Sequence, residues 1–209
     1  MNIRYKYLCI VLGLFLMLTI VGAGCSATRT DMSKNIENEI RDLVHEYYTN
    51  LVEGNYDKAL NRNSIANAIS KILYPNDNHL QGKSLRLRQQ YFMCAASIGD
   101  IVNNHMNVYG TLDNLHEKVA IHINDTHPTL AIPELMRILL DDCGYTWEDA
   151  WNIVTKTFAY TNHTVMPEAL EKWDLNLVKE VIPRIFSIIV EINNRYCREL
   201  MERNGRAHV

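Results

Sequence analysis

Two short polar runs carry the residue types that could do chemistry. Asn124, Asp125, Thr126 and His127 follow the apolar run VAIHI, and Thr161, Asn162, His163 and Thr164 follow FAY. Together they offer two imidazoles, a carboxylate, two amides and several hydroxyls. A sugar hydroxyl both donates and accepts a hydrogen bond, and Asp, Asn and His can match it on either side. The set therefore suits a ligand covered in hydroxyl groups better than an apolar one. Plainer roles stand beside this one. Asp125 and Thr126 could cap the helix that follows. His127 precedes Pro128 and could serve a turn, as could Asn162. His122 alternates with Ile121 and Ile123, which puts it on the opposite sheet face in a structural role. His122, Asp125 and His127 fall at no standard metal-ligand spacing, so the pattern gives a metal site little support.

The elements that must position these residues are legible from periodicity. KVAIHIND is rich in branched residues and predicts a strand; TFAYTNHT predicts a second. SLRLRQQYFMCAASIGDIVNNH has the apolar spacing of a long helix. PELMRILLDDCG predicts a helix with Pro133 in its first turn and Gly144 just past its end. TWEDAWNIV opens with Thr146 and Asp149, a capping-box-like pair. Asp174 starts a terminal helical region with Leu177, Val181, Ile185, Ile188 and Ile192 on one face, and Pro183 should kink it or split it. Strand, helices, strand is the order of a crossover unit in a parallel sheet. Ligands of open parallel sheets bind beyond the carboxyl ends of the strands. With parallel strands, both polar runs open onto the same edge.

A chain of 209 residues accommodates one ordinary domain, or one with an appendage. Its 47% hydrophobic and 22% charged content is that of a globular protein. A net charge of -3 removes any electrostatic case for nucleic acid. Cys94, Cys143 and Cys197 sit in apolar helical patterns and read as small buried hydrophobes.

The amino terminus has a different style. Arg4 and Lys6 precede an uncharged stretch from Leu8 to Val21, about the length of a signal h-region. The end, GAGC, resembles a bacterial lipoprotein processing site with Cys25 as the residue to be lipidated, although Gly22 stands where an aliphatic residue is usual. Ile36, Ile40, Leu43, Val44, Tyr47 and Leu51 then mark one face of an amphipathic helix. The style changes again near residue 61. The expected organisation is a leader or membrane anchor over 1–25, a helical appendage over 26–61 and the main body over 62–209. A leader in use would associate the chain with a membrane, and a membrane-anchored lipoprotein with a non-catalytic binding role is the alternative it raises.

From about Asn63 to about Glu202 the sequence closely resembles α-glucan (glycogen) phosphorylase. The stretches that carry the resemblance are ILYPNDN, GKSLRLRQQYF, EKVAIHINDTHPTLAIPELMRILLD, WEDAWNIV, FAYTNHTVMPEALEKW and PRIFSIIVEINNRY. It implies a helix-rich α/β fold: an incomplete Rossmann-like (GT-B) half-domain with a few parallel strands, from the N-terminal domain of a much longer cytoplasmic enzyme. That family transfers glucose from the end of an α-1,4-glucan to phosphate, giving glucose 1-phosphate. His163 matches the histidine that hydrogen-bonds the 6-hydroxyl of the bound glucose. Asp125, His127 and Glu171 match polar residues lining the same region, and Asn162 lies beside His163. The implied cofactor is pyridoxal phosphate, held in the family by a lysine of the C-terminal domain, which a separate C-terminal phosphorylase domain could supply as a partner. Asn103 and Asn104 stand where family members often carry an arginine pair that binds effector phosphate, a departure that puts AMP-type regulation in doubt.

Overall fold

The computed structural model describes residues 77–163, 166 and 171–206, together with Asn38 and Asp42. The leader, Cys25 and all of the 26–61 piece but Asn38 and Asp42 lie outside the described residues. The chain order is α1 (Leu80–Tyr109), α2 (Leu115–Lys118), β1 (Ile121–Asn124), a 3-10 turn (His127–Leu130), α3 (Ala131–Arg137), a π-helical turn (Ile138–Asp142), α4 (Trp147–Thr157), β2 (Phe158–Thr161), α5 (Leu175–Val181) and α6 (Pro183–Arg206).

Local chemistry sets most of these boundaries. His79 Nδ1 accepts from the Gly82 amide at 3.0 Å and opens α1. Gly110, at φ 69, closes it by donating to the Met106 carbonyl at 2.8 Å. The buried stripe Leu87, Tyr91, Cys94, Ile98, Val102 and His105 gives α1 one core face. The Thr146 hydroxyl accepts from the Asp149 amide at 3.2 Å and donates to Asp149 Oδ2 at 2.7 Å, capping α4. Asp174 Oδ1 accepts from the amides of Asn176 and Leu177 and caps α5. Ile182 leaves helical geometry and Pro183 begins α6, so the proline splits the terminal region.

The two strands pair in parallel, with Ile121 opposite Phe158 and Asn124 opposite Thr161. Ile123 and Phe158 are buried on the face toward the helices, while His122 and Asn124 are exposed on the other. Among the described residues the sheet has these two strands alone. No described helix is long and apolar enough to cross a membrane.

Every residue of α3 is buried, and the helix packs against both α1 and α6. It also holds a buried ion pair. Arg137 Nη2 lies 2.9 Å from Glu134 Oε1, and Nη1 lies 2.9 Å from both oxygens of Asp142. Tyr91 of α1 donates its hydroxyl to Glu134 Oε2 at 3.0 Å. The expected single helix over PELMRILLDDCG therefore widens into a π turn beyond Arg137, which brings Asp142 back over the guanidinium before Gly144, at φ 72, ends it.

The cysteines need one correction. Cys94 is buried, but Cys143 is exposed and Cys197 only half-buried. Cys143 follows the π turn, where the chain has already swung outward. Burial, reinforced by the charge of Glu134, pushes the Cys94 thiol up to about 12. Folding favours the neutral thiol, so its contribution to stability is intact below pH 9.0 and falls away as pH climbs toward about 12. The expected labelling order follows. In the native chain at mildly alkaline pH, iodoacetamide should modify Cys143 while Cys94 stays unmodified until denaturant is added. Peptide mass spectrometry reads this directly, and equal native labelling of both would contradict the burial of Cys94.

Candidate functional site at the strand ends

In-register parallel strands deliver the residues that follow them side by side. The Asp125 amide donates to the Thr161 carbonyl at 2.9 Å, one position past the end of β1. Asp125 then adopts φ 68, the left-handed region. A short polar side chain tolerates that region by bonding locally, and Asp125 Oδ1 does so, accepting from the Thr126 amide at 2.7 Å. Among the described residues no partner engages its Oδ2. The turn carries the chain off the sheet into the 3-10 segment, where the Thr129 amide donates to the Thr126 carbonyl at 3.1 Å. The expected cap role is not what is seen. Thr126 precedes the 3-10 turn without a side-chain cap bond, and its buried hydroxyl has no partner among the described residues.

Across the rim, Asn162 and His163 are exposed. His163 Nε2 hydrogen-bonds Asn124 Oδ1, and His122 Nε2 hydrogen-bonds Thr161 Oγ1. His122 therefore lies on the same sheet face as Asn124 and His163. His127, the first residue of the 3-10 turn, is exposed. Glu171 is placed differently. It forms an ion pair with Arg86 Nη2 at 2.9 Å and accepts from Gln90 Nε2 at 2.9 Å, both on α1. Among the described residues no hydrogen bond or ion pair joins it to the two loops. Asn124, Asp125 and His163 are thus brought together, with Asn162 and His127 as chain neighbours, while Glu171 is tethered to α1.

Sequence reasoning missed Arg86 and Gln90, which hold Glu171 from 85 and 81 positions away. It also left Asn124 without a specific task; the register of β1 against β2 supplies one. The site is an open rim. A groove of about 270 Å³ lies elsewhere, between α4 and α6, lined by Trp147, Trp151, Ile192, Arg195 and Tyr196. It shares no residue with the strand ends. Arg195 on its wall stacks 4.7 Å over Trp147 and pairs with Glu148 and Glu191. No group of His, Cys, Asp and Glu among the described residues is arranged as metal ligands.

The fold and the rim are those of an α/β protein that presents hydroxyl-matching side chains beyond its strand ends. A family model described as carbohydrate phosphorylase matches residues 38–208, and the chain belongs to that family. The match begins at residue 38, ahead of the change of style expected near residue 61. The chain is 56% identical over 136 residues to glycogen phosphorylase of Bacillus subtilis (strain 168), covering 65% of this chain and 17% of that protein. It is 50% identical over 145 residues to glycogen phosphorylase 2 of Dictyostelium discoideum, covering 69% and 15%. It is 50% identical over 151 residues to the muscle form of glycogen phosphorylase from Ovis aries, covering 68% and 18%. The chain therefore spans less than a fifth of the length of these relatives.

Proposed function

We propose that this chain supplies part of the glucose-binding wall of an α-1,4-glucan phosphorylase, the enzyme that releases glucose 1-phosphate from glycogen or maltodextrin. One observation carries the reading. The turn at Asp125 and the loop at His163 are joined by the bonds from Asp125 N–H to Thr161 and between Asn124 and His163, in a chain 56% identical over 136 residues to a glycogen phosphorylase. His163 engages the sugar 6-hydroxyl. Asp125 accepts from a hydroxyl through Oδ2, and Asn162 and His127 line the same rim. Glu171 is the fifth member of the proposed wall, and its ion pair with Arg86 of α1 fixes its place.

The family's pyridoxal phosphate is not served by the described residues. Its aldehyde needs a lysine in a closed site, and Lys83, Lys118, Lys156, Lys172 and Lys179 are all exposed. The strand-end set holds a carboxylate, amides and imidazoles and no lysine. The role assigned to this chain is therefore to bind and orient sugar. Gln90 Oε1, Glu171 Oε2, Trp173 Nε1 and Thr126 Oγ1 are buried polar atoms without hydrogen-bond partners among the described residues.

Two outcomes follow. The full chain, assayed with glycogen, phosphate and pyridoxal phosphate, should release no glucose 1-phosphate; clear turnover would overturn the reading. His163→Ala and Asp125→Gly should each weaken glucose binding about tenfold, the loss of one well-made hydrogen bond. Glycine is the substitution of choice at position 125 because it accepts φ 68 without strain. Unchanged binding in both variants would remove the rim from the account.

A further inference from the structure

The polar face of the sheet repeats a diagonal. His122 and Asn124 alternate with buried Ile123 on β1, and Ala159, Thr161 and His163 continue the matching face of β2. In register, His122 faces Ala159 and Asn124 faces Thr161. The side-chain bonds each step one pair forward, His122 Nε2 to Thr161 Oγ1 and Asn124 Oδ1 to His163 Nε2. The backbone beneath is tied by the Asp125 amide to the Thr161 carbonyl at 2.9 Å.

We propose that Asn124 is the positioning residue for His163, its carboxamide oxygen accepting from Nε2–H and so leaving Nδ1 as the ring's hydrogen-bond acceptor. Which nitrogen of a histidine carries the proton is set by the bond the other ring partner makes. An exposed imidazole without such a bond rotates and exchanges its proton with water. With Asn124 in place, the ring is held on the rim and offers a lone pair to a hydroxyl donor. The ligand consequence, a sugar hydroxyl donating to Nδ1, rests on the glucose-wall reading above; the ring assignment does not. Asn124 touches His163 and acts through it.

The test uses the full chain with isotope-labelled histidine, the His163 signal being assigned by its loss in His163→Gln. The unmodified chain should show a His163 Nε2–H correlation that survives in water at neutral pH, with Nδ1 in the unprotonated range. Asn124→Leu removes the acceptor, and the correlation should be lost to solvent exchange. Asn124→Asp keeps an oxygen in the same place and should restore it, while Thr161→Val, which removes the neighbouring diagonal, should leave it intact. A proton on Nδ1 in the unmodified chain, or an unchanged correlation in Asn124→Leu, overturns the proposal. If Asn124→Leu fails to fold, the nitrogen assignments of the unmodified chain decide alone. Glucose that shifts the rim amides while the proton sits on Nδ1 refutes the role of Asn124 and spares the glucose-wall reading. A held Nε2–H with no response to glucose does the reverse.

Discussion

Arg137→Ala should destabilise the chain by about 3–5 kcal/mol, because it strands a carboxylate in the core. Glu134 is 1% exposed and Arg137 5%, so neither charge can turn to water without moving α3. Arg137 reaches Glu134 through Nε and Nη2 and Asp142 through Nη1. Burial alone would make the guanidinium easier to deprotonate; the bond and charge of Glu134, with Asp142 adding, outweigh it and push its affinity for the proton up. The pair thus holds its charges because each answers the other. Typical folding margins are about 5–15 kcal/mol, so the loss would consume a large share. The double replacement Glu134→Leu with Arg137→Met should recover most of it, since removing both charges abolishes the desolvation penalty. Urea midpoints of the single and double variants read this. A loss under about 1 kcal/mol in the single variant would mean that Glu134 finds water, which its burial denies.

Phe158→Ala should cost about 3–5 kcal/mol through the cavity it leaves. Phe158 is fully buried at the start of β2, opposite Ile121 and directly after α4. It anchors the strand whose far end carries Thr161, Asn162 and His163. The cost is therefore coupled to the site: hydrogen exchange at the Asp125 amide, which bonds the Thr161 carbonyl, should accelerate along with global unfolding. Phe158→Leu, which keeps most of the volume, should cost less than half as much. An alanine variant as stable as the parent would show that the aromatic ring is not part of the core.

Much of this was legible because the signals are local. The two strands follow from short runs rich in branched residues (KVAIHIND) or aromatics (FAY), and their parallel pairing follows from the helices between them. Caps at Thr146 and Asp174, the closure at Gly144 and the split at Pro183 are written in residues adjacent to the events they cause. The juxtaposition of Asp125 with His163 also followed, since equal strand ends in a parallel sheet share an edge. What escaped depends on partners distant in sequence. The π turn exists where a buried guanidinium pulls Asp142 back, and no periodicity records that. Glu171 belongs to Arg86 and Gln90 on α1. Cys143 carries a helical pattern yet lies past the point where the helix leaves the core. Asp125 could be read as a cap, but its left-handed backbone makes it a turn residue instead.

The claim that these strand ends were shaped for sugar is tested most directly by titrating the full, amide-labelled chain with glucose and mapping which resonances move. Shifts should concentrate at Asn124, Asp125, Thr126, His127, Asn162 and His163, and should shrink in His163→Ala. Silence across those residues at saturating sugar, or shifts confined to Trp147, Trp151 and Tyr196 in the groove between α4 and α6, would contradict it.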